Sequence, residues 1–262
     1  MAYGRPLAVV TGASTGIGYE LAKCCVKNGF DLLIVADEPR IHEAARSLKM
    51  QDAQIEALES DLATTEGVDL LYAKIGGRPV AALLANAGRG LGQGFLDQDF
   101  DEARRVVDTN ITGTIYLIHK VGNDMRRAGE GKILLTGSIA GFMPGSFQAV
   151  YNGTKAFIDS FAAAIREELK DTGITVSCLM PGATETEFFE RAGLMDTKIG
   201  QAKKDDPAEV AELGFEAMMK GTDHVIFGLG NKLQVAAASV LPSSTTAAQH
   251  RKQTEPGSAS KN

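Results

Sequence analysis

Short apolar runs alternate with longer segments of helical period along most of the chain. Leu7–Thr11 (LAVVT), Asp31–Ala36 (DLLIVA) and Val80–Ala85 (VAALLA) are almost continuously aliphatic or small. That is the pattern of strands covered on both faces. Segments 54–60, 132–136 and 174–179 read as three more strands, and 225–227 as a short seventh. Between them the apolar positions recur every three or four residues. This spacing predicts helices over 16–27, a charged segment ending near 49, 64–75, a long stretch 99–128, and 150–171. Asn28-Gly29, Gly76-Gly77 and Thr172-Gly173 supply helix stops.

Buried strands separated by helices describe a single-domain α/β fold, a doubly wound parallel sheet of about seven strands with helices on both faces. Ligands of such sheets bind beyond the carboxyl ends of the strands. Residues 1–241 carry this pattern. Residues 242–262 are rich in Ser, Thr, Ala and Gln and nearly lack large apolar side chains, so a flexible or weakly docked tail is expected.

Composition narrows the function classes. The chain has 262 residues, 44% hydrophobic and 23% charged, enough to bury a core without metal or disulfide staples. A net charge of −6 without a basic run gives no electrostatic case for nucleic acid. Cys24, Cys25 and Cys178 are odd in number and two are adjacent, which reads as buried thiols in a reducing compartment. The His and Cys spacing matches no metal site. The first residues lack a signal-peptide pattern, and no apolar run is long enough to span a membrane. A cytoplasmic protein is expected.

Candidate chemistry gathers at predicted strand ends. Gly12, Ser14, Thr15, Gly16, Ile17 and Gly18 follow the first strand and open a helix. Glycines let the backbone come close to a ligand, and the helix N-terminus offers free N–H groups to a pyrophosphate. A tight turn without ligand would use the same residues. Asp37, after the second strand, could accept from a ribose 2′-hydroxyl and repel a 2′-phosphate, or simply cap a helix.

Tyr151 and Lys155 stand four apart, on one helix face, so the ammonium can lower the phenol toward a working range for acid/base catalysis. The spacing alone is weak, because Tyr19/Lys23 and Tyr116/Lys120 repeat it. Context separates them. Tyr151 lies thirteen positions after Ser138, which closes an apolar strand, while Pro6 and Ala103 hold that place for the other two. Ser138 could donate to the oxygen that Tyr151 protonates.

These motifs resemble the short-chain dehydrogenase/reductase family from residue 7 to about 227: the TGxxxGxG loop at Thr11–Gly18, and Ser138 with Tyr151 and Lys155. The resemblance implies a Rossmann-type domain and a nicotinamide-dependent oxidoreductase acting on an alcohol or carbonyl. It assigns Asp61 and Leu62 to the adenine, the Asn86-Ala87-Gly88 turn to the cofactor, and a cofactor ribose contact to Lys155 beside Tyr151. It also places Pro181 and Gly182 before Thr186, which would hold the nicotinamide carboxamide. Asn110 would hold a water between Lys155 and solvent, or else satisfy a break in its helix. The family usually has a second Asn where this chain has Ala85, and its NAD-selecting Asp one residue earlier, at Ala36. NAD is favoured over NADP on the adjacent carboxylates Asp37 and Glu38, although Arg40 is near. The resemblance further implies a homodimer or homotetramer.

The small-molecule substrate should meet loops 89–95, 139–147 and 188–199, with a lid near 184–206 and Arg89 or Gln93 reading a polar group. Phe142, Met143 and Phe147 favour an apolar or mixed substrate. A cofactor sensor without catalysis, or a nucleotide-sugar epimerase or dehydratase, are the competing readings. An intact Ser138/Tyr151/Lys155 set argues against the first, and the short chain after Gly182 against the second.

Overall fold

The computed structural model describes residues 4–49 and 53–260. Seven parallel strands form one sheet in the order β3-β2-β1-β4-β5-β6-β7. They are β1 Leu7–Thr11, β2 Asp31–Ala36, β3 Ile55–Glu59, β4 Val80–Ala85, β5 Gly131–Thr136, β6 Ile174–Met180 and β7 His224–Ile226. Chain order reverses between β1 and β4, so the crevice of a doubly wound sheet opens there. β1 is buried along its whole length, as its unbroken apolar run requires.

Two cores lie on opposite faces. One packs α3 (Thr65–Ile75), α5 (Thr114–Ala128) and α6 (Ala149–Glu168) on the sheet through Leu71, Leu117, Val121 and Ile158. The other packs α1 (Gly16–Lys27), α2 (Arg40–Ser47) and α9 (Pro207–Lys220) through Leu21, Ile41 and Met218. Cys25 and Cys178 are buried in these cores, whereas Cys24 is half-buried.

The long segment predicted over 99–128 is helical but not uniform. Asp99 caps α4 (Phe100–Val107), and a π-turn over Asp108–Gly113 joins it to α5. A Cβ on Gly113 would stand 1.9 Å from the Leu62 carbonyl, so this turn lies directly against the loop after β3.

Residues beyond β6 depart most from expectation. Two short helices, α7 (Phe188–Arg191) and α8 (Lys198–Gln201), close over a small core of Phe189, Ala192 and Leu194. Beyond β7, α10 (Leu229–Val240) and α11 (Ser243–Thr254) are helices. The expected flexible tail is thus a docked helix, held by polar bonds. Ser146 Oγ donates to the Ala247 carbonyl at 2.9 Å, and Thr254 Oγ1 donates to the Ser146 carbonyl at 2.7 Å. Further on, the Gly257 N–H donates to Asp196 at 2.8 Å.

His250 Nδ1 also meets the Ser146 carbonyl, at 3.0 Å. Burial holds this imidazole below its ordinary value, with the Ser146 bond opposing. A histidine kept neutral by the fold stabilises at neutral pH, and that contribution is lost as pH falls below the free range, near about 6.5. The wild type should therefore lose melting temperature on acidification more steeply than His250→Gln. Parallel curves would remove the imidazole from the docking of α11.

Candidate active site

The strand ends β1, β2, β4, β5 and β6 open on one cavity of about 1020 Å³. Every residue assigned to the cofactor lines it, from Gly12 to Thr186. Gly12 and Gly16 have positive φ, +64° and +58°, which glycine adopts without strain. Thr15 at the N-cap of α1 makes no capping bond, so the first N–H groups of that helix have neither a helical partner nor a cap. That uncapped end fits the pyrophosphate of a dinucleotide.

Asn86 braces the loop from the β4 side. Its Nδ2 reaches the carbonyls of Thr11 and Gly12 at 3.2 and 3.3 Å, and its Oδ1 accepts from Thr136 at 3.1 Å. The Ala87 N–H donates to Thr11 Oγ1 at 2.9 Å, tying β4 to β1. Thr186, in the segment after β6, lies on Gly16, where an added Cβ would stand 2.9 Å from its methyl.

Ser138, Tyr151 and Lys155 meet at the other end of the cleft. Tyr151 and Lys155 line the cavity, while Ser138 lies just behind its wall. Ser138 caps the short turn Ile139–Phe142, and its hydroxyl reaches the Pro181 carbonyl at 3.3 Å. Lys155 Nζ donates to the Thr136 carbonyl at 2.7 Å and lies 5.8 Å from the centre of the Tyr151 ring. Burial pushes the Tyr151 phenol up to about 12; a hydrogen bond from Ser138 opposes this and the Asp159 charge adds to it. The expected lowering of the phenol by Lys155 is not what governs it. Burial dominates, and it also draws Lys155 below its usual value against the pull of Asp159.

Neither of the other two pairs lines the cavity, and both tyrosines pack against the cores. Lys23 pairs with Glu20 at 2.7 Å. Tyr116 and Lys120 both bind Asp69, at 2.9 and 2.8 Å.

Asn110 sits in the π-turn. Its Oδ1 accepts the Arg89 N–H at 2.8 Å, and its Nδ2 donates to the Arg89 carbonyl and to Thr154 Oγ1, both at 2.9 Å. The side chain is therefore a staple between the loop after β4 and α6, one residue from Lys155, and it satisfies the helix irregularity as well.

A family model described as short chain dehydrogenase matches residues 6–197. The chain belongs to the short-chain dehydrogenase family. An uncharacterised oxidoreductase of Staphylococcus saprophyticus is 31% identical over 222 residues, 82% of this chain and 91% of that one. A very-long-chain 3-oxoacyl-CoA reductase of Pyricularia oryzae is 32% identical over 180 residues, 66% of this chain and 54% of its own length. Among solved structures, a short-chain dehydrogenase from Sphingobium yanoikuyae in complex with NADPH superposes with a TM-score of 0.78 at 27% identity. It covers 89% of this chain and 93% of its own. Among the described residues, no helix of this short-chain dehydrogenase is long and apolar enough to cross a membrane.

Two expectations for this short-chain dehydrogenase need correction. Asp37 does not cap α2, whose N-cap is Pro39. It instead faces Arg89 at 3.5 Å and Arg105 at 3.7 Å, and Arg105 binds Asp61 at 2.8 Å. Glu38 takes a bond from Ser14 at 2.5 Å and pairs with Arg191 of α7 at 3.0 Å. The acidic pair is thus matched by arginines, and the charge argument for NAD loses force; the NADPH complex of the Sphingobium relative also gives NAD no preference. Arg89 lines the cavity and pairs with Asp37 at 3.5 Å, whereas Gln93 does not line it.

The cavity is also lined by residues that sequence patterns did not single out. Gln234 and Leu241, around α10, and Gln249 and His250 of α11 line it together with Met143 and Phe188, and Gln234 Nε2 reaches the Met143 sulfur at 3.7 Å. The Phe188 ring lies 5.0 Å from the Tyr151 ring. The loop after β4 is docked on the segment just after α7, the Gly92 N–H donating to the Ala192 carbonyl at 2.7 Å.

Proposed function

We propose that this short-chain dehydrogenase transfers hydride between a nicotinamide dinucleotide and an alcohol or carbonyl carbon, with Tyr151 as the acid/base. One observation carries this reading. Of the three Tyr-xxx-Lys pairs, Tyr151 with Lys155 is the one that lines the cavity, at the end opposite the uncapped helix. The dinucleotide, when bound, supplies or takes the hydride. A phenol held near 12 keeps its proton at neutral pH, which suits donation to a carbonyl oxygen in reduction. Ser138 polarises the same oxygen by hydrogen bonding, and Lys155 puts a positive charge beneath the phenol. The apolar side chains Met143, Phe188 and Leu241 favour a substrate with an apolar body, and Gln234 and Gln249 supply amides for a polar end. A panel of ketones, acyl thioesters and sugars, followed by reduced-nicotinamide absorbance, tests the reading. Silence across the panel with both cofactors would refute it.

NAD over NADP is a separate proposal, resting on Asp37 at the end of β2. Because Arg89 and Arg105 offset that carboxylate, the expected preference is small, about tenfold or ~1.4 kcal/mol. Titration by fluorescence should show tighter NADH than NADPH, and Asp37→Ser should erase the difference. Tighter NADPH in the wild type would reverse the proposal.

A further inference from the structure

Directly behind the acid/base pair lies a carboxylate that the catalytic reading leaves unused. Asp159 stands one turn after Lys155 on α6 and does not line the cavity. Its Oδ1 accepts the Ser138 N–H at 3.3 Å and the Cys178 thiol of β6 at 3.7 Å. Its Oδ2 is buried with no hydrogen-bond partner. The backbone makes room for this group at two places. A Cβ on Gly137 would stand 1.9 Å from Oδ1, and one on Gly141 would stand 2.2 Å from Oδ2. Two glycines that flank Ser138 are thus filled, in effect, by one carboxyl group. An acid with an orphaned oxygen is a costly way to fill space, since an apolar side chain would avoid the desolvation.

We propose that Asp159 is a positioning residue of the acid/base machinery: its carboxylate braces the Ser138 backbone from behind and lends a buried negative charge to Lys155 and Tyr151. The charged and titratable neighbours are few. Lys155 and Tyr151 share its helix, Cys178 faces it from β6, and His224 acts on it from β7. Burial lifts Asp159 to about 6, with Lys155 the largest opposing influence. Above that pH the carboxylate raises both Lys155 and Tyr151, so each holds its proton more firmly.

The sign of the test follows. Asp159→Asn keeps an oxygen for the Ser138 N–H and removes the charge. The Tyr151 proton should then leave at lower pH, moving the tyrosine limb of kcat/KM downward by about one unit, equivalent to a tenfold change in proton affinity. The shift has the same direction whether the enzyme is assayed in reduction or in oxidation. Asp159→Ala removes the brace as well, and should lower kcat further with little change in KM. Loss of activity in both variants without movement of the limb would mean that Asp159 only packs, and would overturn the proposal.

This inference rests on the reading of Tyr151 as the acid/base, and a second measurement separates the two. The phenolate absorbance that disappears in Tyr151→Phe reports Tyr151 without any substrate. Its midpoint should fall in Asp159→Asn relative to the wild type. An unchanged midpoint overturns the role of Asp159, whereas a wild type inert toward every substrate with a shifted midpoint overturns only the catalytic reading.

Discussion

Tyr151→Phe should bind reduced nicotinamide dinucleotide as the wild type does and turn over ~10²–10⁴ times more slowly, the usual loss when a positioned acid/base is removed. The ring stays, so its packing against Phe188 at 5.0 Å is kept. The hydroxyl alone goes, and with it the proton that burial holds in place at neutral pH. Lys155 keeps its bond to the Thr136 carbonyl, so the floor of the cleft should not collapse. Single-turnover kinetics, with cofactor binding measured by fluorescence, separate the two effects. A variant that turns over within a few-fold of the wild type would remove Tyr151 from the chemistry. Tyr19→Phe and Tyr116→Phe are the natural controls, since neither phenol lines the cavity.

Gly18→Ala carries the second large effect, at the opposite end of the cavity. An added Cβ would meet the Gly12 carbonyl oxygen at 2.1 Å and the Asn86 Nδ2 at 2.5 Å. The first is backbone of the same loop and the second is the group that braces it. Neither can yield without spoiling the cradle. Overpacking of this kind costs about 1–3 kcal/mol. The expected result is a lower melting temperature together with at least tenfold weaker binding of either dinucleotide. Gly230→Ala is the matched control, because nothing lies within 4 Å of its Cβ position. Unimpaired cofactor binding in Gly18→Ala would argue against this loop as the pyrophosphate seat.

Much of the fold was legible because buried parallel strands write themselves as aliphatic runs. The expected bounds of β1, β2 and β4, and of α1, coincide with the structure, and glycine stops placed the ends of α3 and α6 within a few residues. The candidate site was legible where it is local. A glycine loop and a Tyr-xxx-Lys pair are each short stretches of chain. What could not be read is long-range. Arg105 reaches Asp61 and Asp37 from α4, and nothing near either acid announces it. Residues 207–220 were not singled out as a helix, although they form α9 on the second core. The least legible element is α11. Its sequence SSTTAAQHRKQT has no apolar stripe, since it docks by hydroxyls, an imidazole and backbone carbonyls.

That helix changes how the protein can diversify. The stretch recognised as family-like ends at residue 197, and it contains the glycine loop, Ser138, Tyr151 and Lys155. Beyond it, α10 and α11 add Gln234, Gln249 and His250 to a cavity lining that Met143 and Phe188 begin within it. Part of the proposed substrate wall is therefore carried on a length of chain separate from the proposed acid/base. If Tyr151 and this wall act as proposed, change in the last forty or so residues would alter what is accepted without touching the acid/base, and a graft of that stretch between relatives is the laboratory version of the same step.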